Sequence, residues 1–191
     1  MNTLYQGIVY LILSIAFTLP YQADACGSAQ ARYALGCESS GSVLLWVDYS
    51  INPKPLKGGF VDPSGTLGGQ ATLSPSGQNC YEPYVSITSG GDGVAVWLGI
   101  DNTKSTYTVY SAFLRNGGSW STAIPLSNTE EGVLPKTINI CIDNSGNIQV
   151  FYESITYFDN QGTLQSTEQL RLVQGTVANG WNPPTTVLTI R

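Results

Sequence analysis

The sequence predicts an all-β chain made of three copies of one four-stranded antiparallel unit. Three observations carry that prediction. First, short alternating apolar runs (Val85–Ile87, Val94–Trp97, Tyr107–Phe113 and the weaker Ile124–Leu126) are separated by Gly- and Asn-rich turns, the pattern of strands in a meander. Second, the pattern recurs. Trp46, Trp97 and Phe151 are 51 and 54 residues apart, Leu73-Ser74 and Leu126-Ser127 are 53 apart, and Pro83 and Pro135 are 52 apart. Third, only 11% of the 191 residues are charged while 42% are apolar. A typical domain is about 25% charged, and here Gly, Ser, Thr and Asn take the difference, which suits turn-rich β structure.

The chain opens on an apolar run, Ile8 to Leu19, followed by Ala23-Asp24-Ala25. That run is shorter than the about 20 residues a spanning helix needs, and the small residues form an A-x-A site. Residues 1–25 therefore read as a secretory signal peptide, with MNTLYQG as an n-region lacking Lys and Arg. The expected location is secreted or extracytoplasmic, in a periplasm or at a cell surface. Cys26 follows the cut directly. Lipidation there would tether the chain to a membrane, but Ala23 stands where bacterial lipoproteins usually carry Leu.

Residues 26–191 divide into copies of about 26–75, 76–128 and 129–191. Each pairs an apolar strand, a polar Gly turn and an apolar-x-apolar-aromatic strand: Leu35 to Trp46, Ile87 to Trp97, Ile140 to Phe151. Trp120 and Trp181 each follow a Gly turn late in their copies. A four-stranded meander of this length is the unit of a β-propeller blade. One blade has two apolar faces and buries them only by stacking on neighbours. The fold expected is thus three four-stranded propeller-type blades forming an open or partial β-propeller, with Trp46, Trp97 and Phe151 between blades.

The P-x-V-x-I and G-x-V-x-V-W elements of Pro83 to Trp97, with the G-G-x-W-S and P-L-S elements of Gly117 to Ser127, carry a resemblance. They resemble degenerate propeller repeats of bacterial exported proteins related to the sialidase-like superfamily. Copy three matches with an insertion at Tyr157–Thr167, and copy one matches around Val43–Trp46 and Leu73–Ser74. The resemblance implies the fold. Sialidases use an arginine triad, a tyrosine–glutamate pair and Asp-box turns. This chain departs from all of these: its four arginines are Arg32, Arg115, Arg171 and Arg191, and the D-x-x-G stretches at Asp62 and Asp143 read as ordinary turns. No catalytic residue is carried over.

Propellers close with about four to eight blades. Three leave two uncovered apolar faces, so a homodimer closing a six-bladed ring is one expectation and a shortened, unclosed stack the other. The net charge of −5 argues against nucleic-acid partners. With no histidine, histidine triads and histidine metal sites are excluded, and no cofactor or metal ion is expected.

Four cysteines survive cleavage: Cys26, Cys37, Cys80 and Cys141. In an exported chain an even count suggests disulfides, with three connectivities open. Repeat register makes Cys26 equivalent to Cys80 and Cys37 equivalent to Cys141, while a local Cys26–Cys37 bond also fits. Carboxylates that a glycosidase would pair are Asp48, Asp92, Asp101, Glu153 and Asp159, each also at home at a strand end or turn. For ligand binding, Trp120 and Trp181 stand out as aromatics just after turns. The function expected is a non-catalytic binding or scaffold module for a glycan or protein ligand. A sialidase-like or other glycoside hydrolase, or a functionless shortened paralogue, is the alternative.

Overall fold

The computed structural model describes residues 33–39, 41–101, 107–128, 132–133 and 138–190; residues 1–25, read above as a signal peptide, Cys26 and the side chains of Asp101 and Asp159 lie outside what is described. Within these residues the chain is all-β, in three antiparallel sheets that follow one another along the sequence. Blade 1 is β1 (Tyr33–Glu38), β2 (Gly41–Val47), β3 (Leu56–Val61) and β4 (Leu67–Thr72), hydrogen-bonded in that order. Blade 2 is β5 (Gln78–Ile87), β6 (Gly93–Asp101) and β7 (Tyr107–Arg115), with β8 (Ser119–Trp120) and β9 (Ile124–Pro125) both on β7. In blade 3, β10 (Gly132–Val133) and β11 (Asn139–Ile142) both pair with β12 (Asn147–Asn160). Next comes β13 (Thr163–Thr176), which carries β14 (Gly180–Trp181) and β15 (Thr185–Ile190).

The three-blade reading holds, but the sheets have four, five and six strands rather than four each. The outer strands of blades 2 and 3 are broken in two, and so is the first strand of blade 3. In the outer strand of blade 3 the break is Asn182-Pro183-Pro184, where the two prolines have no N–H to offer the ladder. Pro83 has a related explanation. It falls inside β5 at the irregularity between Tyr81 and Tyr84, where a bulge frees the chain from pairing.

Stacking follows from alternation. Along β6, Val94, Val96 and Leu98 join one buried cluster with Ile148, Val150 and Tyr152 of blade 3. Ala95 and Trp97 join the other, with Val43, Leu45, Val47 and Leu56 of blade 1. Blade 2 is therefore greasy on both faces, which is why its second strand reads as an unbroken apolar run. The first strands β1, β5 and β11 stand side by side, the inner edge of a partial propeller.

Trp97 lies between blades as expected, fully buried and stacked on Tyr110 at 5.9 Å. Trp46 and Phe151 do not. Val43, Leu45 and Val47 turn inward from β2, so Trp46 lies on the opposite, uncovered face of blade 1. It has Trp97's orientation, and among the described residues no sheet lies against it. Phe151 is one residue out of register. Asp143 to Asn147 makes the same turn as Thr88 to Asp92: the first amide donates to the fifth carbonyl, and the glycine amide to the first carbonyl. That superposition makes Tyr152, fully buried, the equivalent of Trp97, and sends Phe151 to the outer face of blade 3.

The D-x-x-G stretches are turns, as read. Asp62 and Asp143 each accept backbone amides from the residues two and four further on, and Gly65 and Gly146 have φ of 85° and 78°. Hydrogen bonds hold both carboxyls below the ordinary carboxylate range, led by the Ser64 hydroxyl at Asp62 and the Asn147 side chain at Asp143. Gly41, at φ 139°, starts β2 where a Cβ would strike the Phe60 ring and the Val61 carbonyl. Gly41→Ala is therefore expected to cost about 1–3 kcal/mol, read as a lowered urea midpoint at unchanged slope.

Candidate functional site

The two tryptophans singled out as ligand platforms are wedges between blades. Trp181, half-buried, stacks on Phe113 of blade 2 at 5.4 Å, and its indole N–H donates to Ser111 Oγ at 2.7 Å. Trp120, also half-buried, packs against the cluster shared by blades 1 and 2, and Gly58 leaves it room: a Cβ there would come within 3.1 Å of the ring. The Gly turn before each tryptophan serves this packing.

The carboxylates are spread out. Asp92 in blade 2 accepts the Asn116 amide at 2.9 Å. Glu153 lies on the outer face of blade 3, opposite Leu170. Asp48, at the end of β2, pairs with Lys57 of β3 at 2.7 Å and also accepts from Ser50. The Lys57 hydrogen bond, then Ser50, brings the Asp48 carboxyl down from 3.8 to about 2. Because the folded value lies below the ordinary one, the carboxylate's stabilising effect is complete above about pH 4. It is lost as pH falls toward 2. Lys57→Met should raise the Asp48 carboxyl toward the usual carboxylate range while the Ser50 hydrogen bonds keep it below, measured by NMR titration of its side-chain carboxyl. Among the described residues no group of three or more Cys, Asp or Glu could hold a metal ion.

Cys37 and Cys141 are exposed thiols and Cys80 a buried one, with no disulfide among the three. Burial raises the Cys80 thiol above its ordinary range, so it behaves as a small apolar core residue.

What the structure does assemble is the outer face of blade 1. Pairing across the sheet sets Tyr33 beside Trp46, Trp46 beside Lys57 and Lys57 beside Thr72, with Leu35 beside Leu44 and Cys37 beside Ser42. Tyr33 is 66% and Leu35 50% exposed. Trp46, Lys57, Gln70, Ala71 and Thr72 wall a shallow hollow of about 170 Å³. A larger hollow of about 580 Å³ lies beside the long β12–β13 ribbon, against Phe158, Gln165, Ser166 and Thr167. The outer face of blade 3 carries Cys141, Gln149, Phe151, Glu153 and, across the ladder, Leu170 and Leu172. The sequence held one signal for these faces. Trp46 and Trp97 are repeat equivalents, and among the described residues only Trp97 has another sheet against it.

No family model matches the chain, and no curated protein matches it. Solved structures do. A GH32 β-fructofuranosidase, BmSUC1, of Bombyx mori is similar at 14% identity and a TM-score of 0.44, over 84% of this chain and 35% of that one. An endo-arabinase from Bacteroides thetaiotaomicron is similar at 12% and 0.48, over 87% and 65%. A third structure is of the GH130 family of mannoside phosphorylases, which contains glycoside hydrolases that target β-1,2-mannosidic linkages in Candida mannan. It is similar at 12% and 0.45, over 85% and 52%. The chain thus spans between about a third and just under two thirds of the length of these structures.

Proposed function

We propose that this chain is an exported, non-catalytic scaffold module that binds protein through the uncovered sheet faces at the two ends of its arc. One observation carries the reading. The first blade turns Tyr33, Leu35, Leu44 and Trp46 outward on the face where blade 2, by contrast, buries Ala95 and Trp97 fully. A sheet face rich in large apolar side chains, with no other sheet against it among the described residues, marks an interaction surface. Burying it removes its cost to solubility and returns hydrophobic free energy at about 25 cal/mol per Å². A glycan ligand has weaker support, since Trp120 and Trp181 spend their rings between blades.

A photo-activated cross-linking residue at position 35, compared with one at exposed Ser76 beyond the sheet, tests the reading. Adducts to protein are expected from position 35 and not from 76; equal yields from both would retire it. A panel of fluorogenic glycosides addresses the hydrolase alternative. Turnover abolished by Asp48→Asn or Glu153→Gln would replace the scaffold with an enzyme.

A further inference from the structure

We propose that the partner is a second copy of this chain, joined head to tail. The outer face of blade 1 in each copy packs on the outer face of blade 3 in the other, and Cys37 bonds to Cys141 of the partner subunit. The inference rests on the uncovered faces being the working surfaces.

The chain's own interfaces define which faces are complementary. Each blade meets its predecessor with the face that bears Trp97 in blade 2, and its successor with the face that bears Val96. Among the described residues two faces have no sheet against them, one of each kind: the predecessor-facing side of blade 1 (Trp46) and the successor-facing side of blade 3 (Phe151). A second copy supplies both missing partners at once, and the two contacts are related by a twofold axis. Heterologous faces arranged this way close into a ring, here of six blades.

The area is sufficient. A sheet face four strands wide and six residues long covers about 400 Å². Two such contacts, each burying both of its faces, remove about 1,600 Å² from water, the size of a stable specific interface.

The cysteines give a second, independent observation. Cys37 and Cys141 are the exposed thiols among the described residues, and one sits on each uncovered face. Each lies on the first strand of its blade, one residue before the strand ends at the hairpin into the second. They are therefore at the same height on strands that a head-to-tail contact sets side by side. Within the chain, first strands approach closely at this height: a Cβ on Gly36 would lie 3.4 Å from side-chain atoms of Val85 and Ile87. Disulfides need Cβ atoms about 3.5–4.5 Å apart.

The chemistry is thiol–disulfide exchange with a small-molecule disulfide as oxidant. Oxidised glutathione first caps Cys141 as a mixed disulfide, releasing one glutathione thiol. The Cys37 thiolate of the other copy then attacks the Cys141 sulfur, forming the protein disulfide and expelling the second glutathione as thiolate. Each bond oxidises two protein thiols and reduces one glutathione disulfide.

The test uses the chain with Cys26→Ser, incubated with oxidised glutathione and run on a non-reducing denaturing gel. A covalent dimer is expected, at least tenfold more abundant than in Cys37→Ser or Cys141→Ser. Mixing those two variants should restore a dimer, held by the single remaining Cys37–Cys141 bond. No covalent dimer in the parent would overturn the proposal. So would a dimer that survives Cys141→Ser, which would mean that two blade 1 faces pair, or a ladder of higher multiples, which would mean an open polymer. A chain that stays monomeric by light scattering yet cross-links a different protein from position 35 would end this inference and leave the scaffold reading intact.

Discussion

Replacing Trp97 with alanine is expected to destabilise the protein by about 3–5 kcal/mol, seen as a collapse of the urea midpoint. The ring is fully buried, stacks on Tyr110 and fills the seam between blades 1 and 2, so its removal leaves a cavity among residues of two sheets. Trp97→Phe should cost far less. The indole N–H is buried with no hydrogen-bond partner, and phenylalanine removes that unsatisfied donor while keeping most of the contact area. Trp46→Ala is the control, since the same residue type at the equivalent repeat position faces outward. Equal losses at 46 and 97 would show that the seam does not lie where it is drawn.

Tyr152→Ala is the companion test on the second seam, with an expected loss of about 3–5 kcal/mol. Tyr152 is fully buried, packs in the cluster shared by blades 2 and 3, and donates its hydroxyl to the Leu126 carbonyl at 3.4 Å. The neighbouring Phe151→Ala should be much milder, because that ring is on the outer face; the pair thus tests the one-residue correction to the repeat register. Combining Trp97→Ala with Tyr152→Ala removes about 6–10 kcal/mol, comparable to the whole stability of an ordinary domain. The double variant should therefore lack a cooperative unfolding transition by circular dichroism. A folded double variant would show that the blades do not depend on one another.

The register correction shows where sequence reading stops. The aromatic spacing suggested Phe151 as the partner of Trp97, because both end an apolar-x-apolar run. The turn before β12 settles the matter instead. Its five-residue hydrogen-bond pattern matches that at Thr88 to Asp92, and a shift of one residue exchanges the faces of a strand. The cysteines behave similarly. Sequence register set Cys37 and Cys141 at equivalent places, but which face of its sheet each occupies follows from pairing with Ser42 and Gln149.

By itself the sequence determined the β class, the threefold recurrence and the strand order within each unit, because alternation and turn chemistry are local properties written into neighbouring residues. It also identified the D-x-x-G turns, whose geometry a side chain and one glycine suffice to set. Only the tertiary structure decided which aromatics are core and which are surface: Trp97, Tyr152, Trp120 and Trp181 against blade neighbours, Trp46 and Phe151 on the open ends. The physical reason is that a strand has two faces of similar character, and burial of either depends on whether another sheet, distant along the chain, lies against it.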